Sequence, residues 1–166
     1  MDALFPFAAI RAVVFDLDGT LIDSERYTDR AIAELLAQRN IDAPDLDFLQ
    51  FHGISWERLD LLLKERFPLL ADADILSFLE KRFYEFSAQE PPPLLPGARE
   101  AFLQASAQLP VAIVTGSGAA DVEAFLDRTG LGTACSFYLS YALYRPSKPD
   151  PTCYKTPAER FKLSPT

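Results

Sequence analysis

Two short apolar runs constrain this chain more than anything else in it. Arg11-Ala-Val-Val-Phe-Asp16 and Val111-Ala-Ile-Val-Thr115 are rich in β-branched residues, and each stops at a polar turn that contains glycine. Such runs predict buried strands whose C-terminal ends present polar side chains. The first turn is Asp16-Leu-Asp18-Gly19-Thr20 and the second is Thr115-Gly116-Ser117-Gly118. What lies between them is helical in pattern. Tyr27, Ala31, Ile32, Leu35 and Leu36 recur at helical spacing over Ser24 to Arg39, with Asp23 or Ser24 as a cap and Asn40 as a stop. Further helical patterns cover Leu46 to Phe51, Trp56 to Phe67 and Asp72 to Ala88, and no strand interrupts them.

Pro91-Pro92-Pro93 and then Pro96-Gly97 follow. Consecutive prolines favour extended backbone and cannot continue a helix, so a boundary falls near residue 92. Beyond it the pattern alternates: a helix from Ala98 to Gln108, the strand Val111 to Val114, a helix from about Ala119 to Arg128, a short strand around Ser136 to Leu139, and a short helix from Thr152. Alternation of this kind implies a parallel sheet layered with helices. The fold class read from the pattern is α/β. A discontinuous core of residues 1–20 and 93–166 carries a Rossmann-like parallel sheet, and residues 21–92 form an inserted helical domain. Ligands of open α/β sheets bind at the C-terminal ends of the strands, where both polar turns fall.

Composition narrows the function. The 166 residues carry a net charge of −8, and a general binder of nucleic acid would need clustered Lys and Arg instead. Nucleic acid is therefore not expected as a partner. The apolar start Ala3 to Ile10 is broken by Pro6 and followed by Arg11, and the only cysteines are Cys135 and Cys153. No membrane span, signal peptide or disulfide framework is expected, which places the protein in the cytoplasm.

Asp16 and Asp18 stand two residues apart at a strand end, in a tight turn that Gly19 permits. Like charges that close call for a cation or a shared proton. Mg²⁺ is suited to this, since it is held by one or two carboxylates together with water and a substrate phosphate. One carboxylate can then act as nucleophile and the other move a proton. An acidic turn is often only a solvated one. At ordinary residue usage, however, Asp-x-Asp-Gly-Thr arises by chance about once in 10⁵ positions.

Asp16-Leu17-Asp18-Gly19-Thr20-Leu21 resembles the first motif of the haloacid dehalogenase-like hydrolases, which transfer phosphoryl groups through an aspartyl-phosphate. The resemblance implies that Asp16 is the nucleophile and Asp18 the general acid/base, with Asp16 and the backbone carbonyl of Asp18 on Mg²⁺. Members that cleave carbon–halogen bonds typically lack the second Asp, so its presence points to phosphate chemistry. Val114-Thr115-Gly116-Ser117 is similar to the second motif, where the hydroxyl binds the transferring phosphoryl group. Read from the residues alone, Thr115 with Gly116 and Ser117 suits the cradling of phosphate oxygens, or else caps the following helix. Lys148-Pro-Asp-Pro151, followed by Tyr154 and Ala158, resembles the third motif, with Ser147 where many relatives carry Gly. An ammonium at Lys148 would offset the charge that a phosphoryl group and Asp16 bring together.

Within the helical block, Phe51-His52-Gly53-Ile54-Ser55-Trp56-Glu57-Arg58 resembles the specificity loop of the α-helical cap in the branch that includes phosphoglycolate phosphatase and β-phosphoglucomutase. His52, Gly53 and Arg58 are the substrate-binding candidates there, and Glu25 is a further polar one. Trp56 reads as core, on one face with Leu59 and Leu63. The function expected is Mg²⁺-dependent hydrolysis of a small phosphorylated metabolite. The alternatives are a catalytically impaired phosphate-compound or protein-binding module, and a sugar phosphomutase.

Relatives continue past the segment similar to Ala158–Pro165 into another strand and an acidic fourth motif. Set against them, the chain reads as truncated, with one acidic metal ligand missing and the core sheet incomplete on its C-terminal side. The missing strand would lie beside the one that ends in Asp16. An open hydrophobic edge there invites self-association.

Overall fold

A computed structural model describes residues 10–54, 56–144, 148 and 150–164. The chain divides into two compact units, Met1–Ile22 with Leu94–Thr166, and Asp23–Pro93. The apolar start up to Ala9, together with Ser55, Arg145, Pro146, Ser147, Pro149, Pro165 and Thr166, lies outside the described residues.

The first unit is built on three parallel strands, β1 (Val13–Phe15), β2 (Val111–Val114) and β3 (Phe137–Leu139), in the order β1-β2-β3. Val13 pairs with Val111 and Phe15 with Ile113, and Val114 pairs with Leu139 on the other side. The helices of this unit are α4 (Ala98–Ser106), α5 (Ala119–Thr129) and α6 (Thr152–Arg160).

Strand periodicity divides the core into two layers. Val111 and Ile113 face one way, into a cluster with Phe102 of α4 and Val122 and Phe125 of α5. Val114 and Leu139 face the other way and meet Cys153 of α6 and Tyr144. Each layer is thus closed by helices from its own side. A strand flanked on both edges and both faces needs an unbroken apolar sequence, and Val-Ala-Ile-Val meets that need with all four residues buried.

β1 differs from its expectation as a buried strand, because all three of its residues are only half-buried. Among the described residues it pairs with β2 alone, so one long edge has no strand against it. Its hold on the core comes from side chains, and the Phe15 ring stacks on that of the fully buried Phe102 with centroids 5.1 Å apart.

The second unit packs α1 (Glu25–Gln38), α2 (Trp56–Arg66) and α3 (Ile75–Gln89) around one apolar cluster. Tyr27, Ala31 and Leu35 enter it from α1, Leu59 and Leu63 from α2, and Ile75, Leu79 and Phe86 from α3. Trp56 is half-buried and packs edge-on against Phe83, so the core reading of that face holds with Leu59 and Leu63 as its deepest members. Two polar ties cross between α1 and α3. Arg82 donates from Nε to Glu34 at 2.9 Å, and the Tyr27 hydroxyl donates to the carbonyl of Glu90 at 2.6 Å.

Two helical expectations are corrected. Leu46 to Phe51 holds only a 3₁₀ turn, Phe48–Phe51, because the Asp47 side chain accepts the N–H of Leu49 and tightens the chain locally. The helix expected from Asp72 starts at Ile75, since Asp74 accepts from Ser77 N and so serves as its N-cap.

The aromatic stack on β1 leads to a stability prediction. Phe102→Ala empties a fully buried site beneath both β1 and β2, and is expected to cost about 3–5 kcal/mol in urea unfolding. Leu103→Ala on the exposed side of the same helix is expected to leave the midpoint nearly unchanged.

Candidate active site

Both polar turns emerge at the C-terminal edge of the sheet, because β1 and β2 run parallel in matched register. The turn after β1 is held by its backbone and by two leucines. The N–H groups of Leu21 and Ile22 donate to the carbonyl of Leu17 at 2.8 and 3.1 Å, and Gly19 N donates to Ile22 O at 2.9 Å. Gly19 takes φ of 68°, a left-handed conformation that side chains disfavour. Leu17 and Leu21 are buried in the core cluster, so Asp16 and Asp18 flank a residue anchored beneath them. An alternation of buried leucine and half-buried acid is how this sequence turns two carboxylates away from the core together.

Asp16 Oδ1 accepts the N–H of Leu17 at 2.8 Å and lies 2.7 Å from Lys148 Nζ. The same ammonium donates to the carbonyl of Val114 at 3.0 Å. Asp18 Oδ2 accepts from Thr115 Oγ1 at 2.9 Å and also from the Ser117 hydroxyl. The four residues expected to act together thus stand as two bonded pairs, Asp16 with Lys148 and Asp18 with Thr115, which meet at the adjacent residues Val114 and Thr115, although Asp18 and Thr115 are 97 positions apart.

Thr115 is fully buried and accepts the N–H of Ser117 at 2.9 Å. It therefore closes a local turn and does not cap α5, whose N-cap is Gly118. Gly116 is exposed at the tip of that turn. Asp121 in the first turn of α5 accepts from Gly118 N at 3.1 Å. Partial desolvation of its carboxyl, and then the negative charge of Asp18, raise its proton affinity against the opposing Gly118 N–H.

Two residues of this cluster carried no signal in the sequence. The buried Tyr144 donates its hydroxyl to the carbonyl of Thr115 at 3.1 Å. Burial, with Cys153 and Asp16 nearby, pushes the phenol up. Tyr144 and Lys148 thus take the successive carbonyls of Thr115 and Val114 where β2 ends, and a lone tyrosine in a loop has no pattern that announces such a role. Asp121 was likewise hidden as an ordinary first-turn acid.

In the helical unit, α1 holds the candidate specificity loop from below. Glu25 Oε1 accepts the N–H of Gly53 at 2.9 Å, and His52 Nε2 lies 2.9 Å from Asp29 Oδ1. Glu25 and Asp29 are four residues apart, so they share one helix face. Gly53 adopts φ of +70°, and a Cβ built there would meet nothing within 4 Å. Its requirement is backbone conformation. Arg58 is exposed on α2.

As a metal site, the cluster offers the hard carboxylate of Asp16 and, from Asp18, a backbone carbonyl oxygen, with the ammonium of Lys148 beside Asp16. That donor set fits Mg²⁺, which takes few protein oxygens and keeps water and phosphate as its other ligands. Asp16 and Asp18 would hold it. No group of three or more His, Cys, Asp or Glu side chains suited to a metal occurs among the described residues.

The haloacid dehalogenase-like hydrolase family matches residues 10–166. The chain belongs to that family. Solved structures of other members agree in fold. A candidate β-phosphoglucomutase from Thermotoga maritima is 25% identical with a TM-score of 0.66, over 94% of this chain and 73% of its own. A family hydrolase from Deinococcus radiodurans, solved with bound phosphate and sodium, is 26% identical with a TM-score of 0.67, over 93% and 68%. A candidate phosphoglycolate phosphatase from Haemophilus somnus shares the fold with a TM-score of 0.71 at 21% identity, over 93% and 72%. No curated protein matches the chain. Among the described residues, the three-stranded parallel sheet with α4, α5 and α6 is the Rossmann-like fold of this hydrolase family. No described helix is long and apolar enough to cross a membrane.

Asp150 stands just before α6 and is bonded to its first residue, since Thr152 donates to its carboxylate with the backbone N–H at 2.8 Å. The hydroxyl and N–H of Thr152 hold that carboxyl below the ordinary 3.8. A depressed folded value contributes stability above the unfolded one, and that stability is lost as pH falls through the folded value. Asp150→Ala is expected to lower the thermal midpoint at pH 7, with the gap from wild type closing as the pH is taken below 3.8.

Proposed function

We propose that this haloacid dehalogenase-like hydrolase is a phosphatase that hydrolyses a small phosphorylated metabolite through an aspartyl-phosphate, with Mg²⁺ as its cofactor. The observation that carries the reading is the convergence of Asp16, Asp18, Thr115 and Lys148 at the end of a parallel sheet. A nucleophile, a proton carrier, a hydroxyl donor and a cation are the parts that phosphoryl transfer from an ester to water requires.

Asp16 attacks phosphorus, a new O–P bond forms, and the ester P–O bond breaks. The electron pair of that bond leaves on the alcohol oxygen, which takes the proton of Asp18. Water then attacks the aspartyl-phosphate and gives its proton to Asp18 as the acyl-phosphate O–P bond breaks. Inorganic phosphate departs, and Asp16 returns to its carboxylate. Throughout, Lys148 stays beside Asp16 because its second bond, to the Val114 carbonyl, fixes the ammonium at the strand end. Thr115 contributes its hydroxyl to a phosphoryl oxygen once that proton is released from Asp18, and the exposed Gly116 beside it leaves open space at the tip of the turn. Mg²⁺, when bound, adds positive charge against the phosphoryl oxygens.

The helical unit serves in this reading as a cap that selects the leaving group, with His52, Gly53 and Arg58 as its substrate-facing candidates and with Glu25 and Asp29 setting the loop. Within the helical unit, two bonds fasten that loop to α1. The substrate class is a small phosphomonoester in the cytoplasm.

The test is phosphate release from a panel of small phosphomonoesters with and without Mg²⁺. Release that needs both Mg²⁺ and Asp16, and is lost in Asp16→Asn, is the expected result. Lys148→Ala should lower kcat/KM by about 10²-fold or more, as the loss of a fixed charge at the reacting group does. Absence of release by folded wild type would overturn the phosphatase reading, and an isomerised sugar phosphate in place of free phosphate would replace it with a mutase.

A further inference from the structure

We propose that Ser117 is a positioning residue that keeps the Asp18 carboxylate in place during phosphoryl transfer, and that it does not contact the ester being cleaved. The inference rests on the reading of Asp18 as proton carrier. Its basis is a count of protons around one oxygen. A hydroxyl has a single proton to donate. That of Thr115 goes to Asp18 Oδ2, while Thr115 Oγ1 accepts the Ser117 N–H. The Ser117 hydroxyl donates to the same Asp18 oxygen.

The proton of Thr115 therefore has two claimants, Asp18 and the phosphoryl oxygen that Thr115 is to bind. When a phosphoryl group claims it, Asp18 Oδ2 loses that donor and Ser117 remains. The loss matters because Asp18 Oδ2 would then keep one hydroxyl donor in place of two. Ser117 is built to keep that bond. Its N–H donates to Thr115 Oγ1 at 2.9 Å, and its carbonyl accepts the N–H of Tyr141 at 3.2 Å, so both peptide groups are fastened on the sheet side. A side chain on so fixed a backbone positions a neighbour well. As a contact to a variable leaving group, it would first have to give up Asp18.

The experiment compares Ser117→Ala and Ser117→Thr with wild type on glycerol 2-phosphate, whose alkoxide needs a proton, and on p-nitrophenyl phosphate, whose phenolate leaves without one. General acid/base catalysis contributes about 10²–10⁴-fold, and loss of the positioning bond should forfeit part of that. In Ser117→Ala, kcat on the alkyl ester should fall about 10–100-fold with KM within about twofold. The same variant should retain the burst of nitrophenolate, followed by a slower steady state, because only the second step then needs Asp18. Ser117→Thr should restore kcat to within about threefold by returning the hydroxyl. Binding of inorganic phosphate by calorimetry should be unchanged in Ser117→Ala. A rise in KM with kcat kept, or weakened phosphate binding, would make Ser117 a ligand contact and overturn the proposal, as would an unchanged kcat. An inactive wild type would remove the phosphatase reading itself, an outcome distinct from an active wild type that tolerates Ser117→Ala.

Discussion

The parallel register between Val13–Phe15 and Val111–Val114 is the constraint on which the active site depends. It places two turns, distant in the chain, on one edge, so that Thr115 can reach Asp18 and the loop beyond β3 can deliver Lys148 to Asp16. A slip of one residue would send each strand's side chains into the opposite layer and separate the pairs. Bringing these strands together closes a loop of roughly a hundred residues, which costs about 4 kcal/mol or more in chain entropy. Folding of the inserted helices reduces that cost. Within the helical unit, Asp23 N donates to Pro93 O at 2.9 Å, so the insertion returns its own ends to hydrogen-bond distance.

Charge sets the second constraint. Asp16, Asp18 and Asp121 gather near the end of the sheet, where the ammonium of Lys148 faces Asp16. Such crowding is held in place by neutral donors as much as by the cation. Leu17 N serves Asp16, Thr115 and Ser117 serve Asp18, and Gly118 N serves Asp121. The strand-end carbonyls of Val114 and Thr115 are matched in turn by Lys148 and Tyr144. A site that is both negative and pre-bonded suits a reaction in which a cation and a phosphoryl group arrive together, each taking over part of an existing network.

The helical unit solves a separate problem with similar economy. Its apolar faces close one core, which leaves Glu25 and Asp29 on the outer part of α1 to fasten Gly53 and His52. A loop tied to a helix face keeps its shape while its side chains are free to vary with substrate. His52, the only histidine of the chain, is therefore placed as much by its bond to Asp29 as by any demand of chemistry.

Much of this could be read from local pattern. Val-Val-Phe and Val-Ala-Ile-Val announce strands, the spacing of Tyr27, Ala31 and Leu35 announces a helix, and Asp-x-Asp-Gly-Thr is too specific to be an ordinary turn. Those signals are local because propensity, periodicity and turn chemistry act over a few residues. The same range explains the misses. Asp47 and Asp74 shift element boundaries by bonds to backbone N–H groups that hydrophobic periodicity does not register. β1 reads as buried because its composition is apolar, yet burial depends on which strands pair beside it. The bond from the Ser117 hydroxyl to Asp18, across 99 positions of sequence, has no local signal either. The sequence by itself determined the three strands, most of the helices, and which polar side chains stand in the turns after β1 and β2. Only the tertiary structure decided which donor serves which carboxylate, because that follows from strand register and loop packing, which join residues the chain keeps far apart.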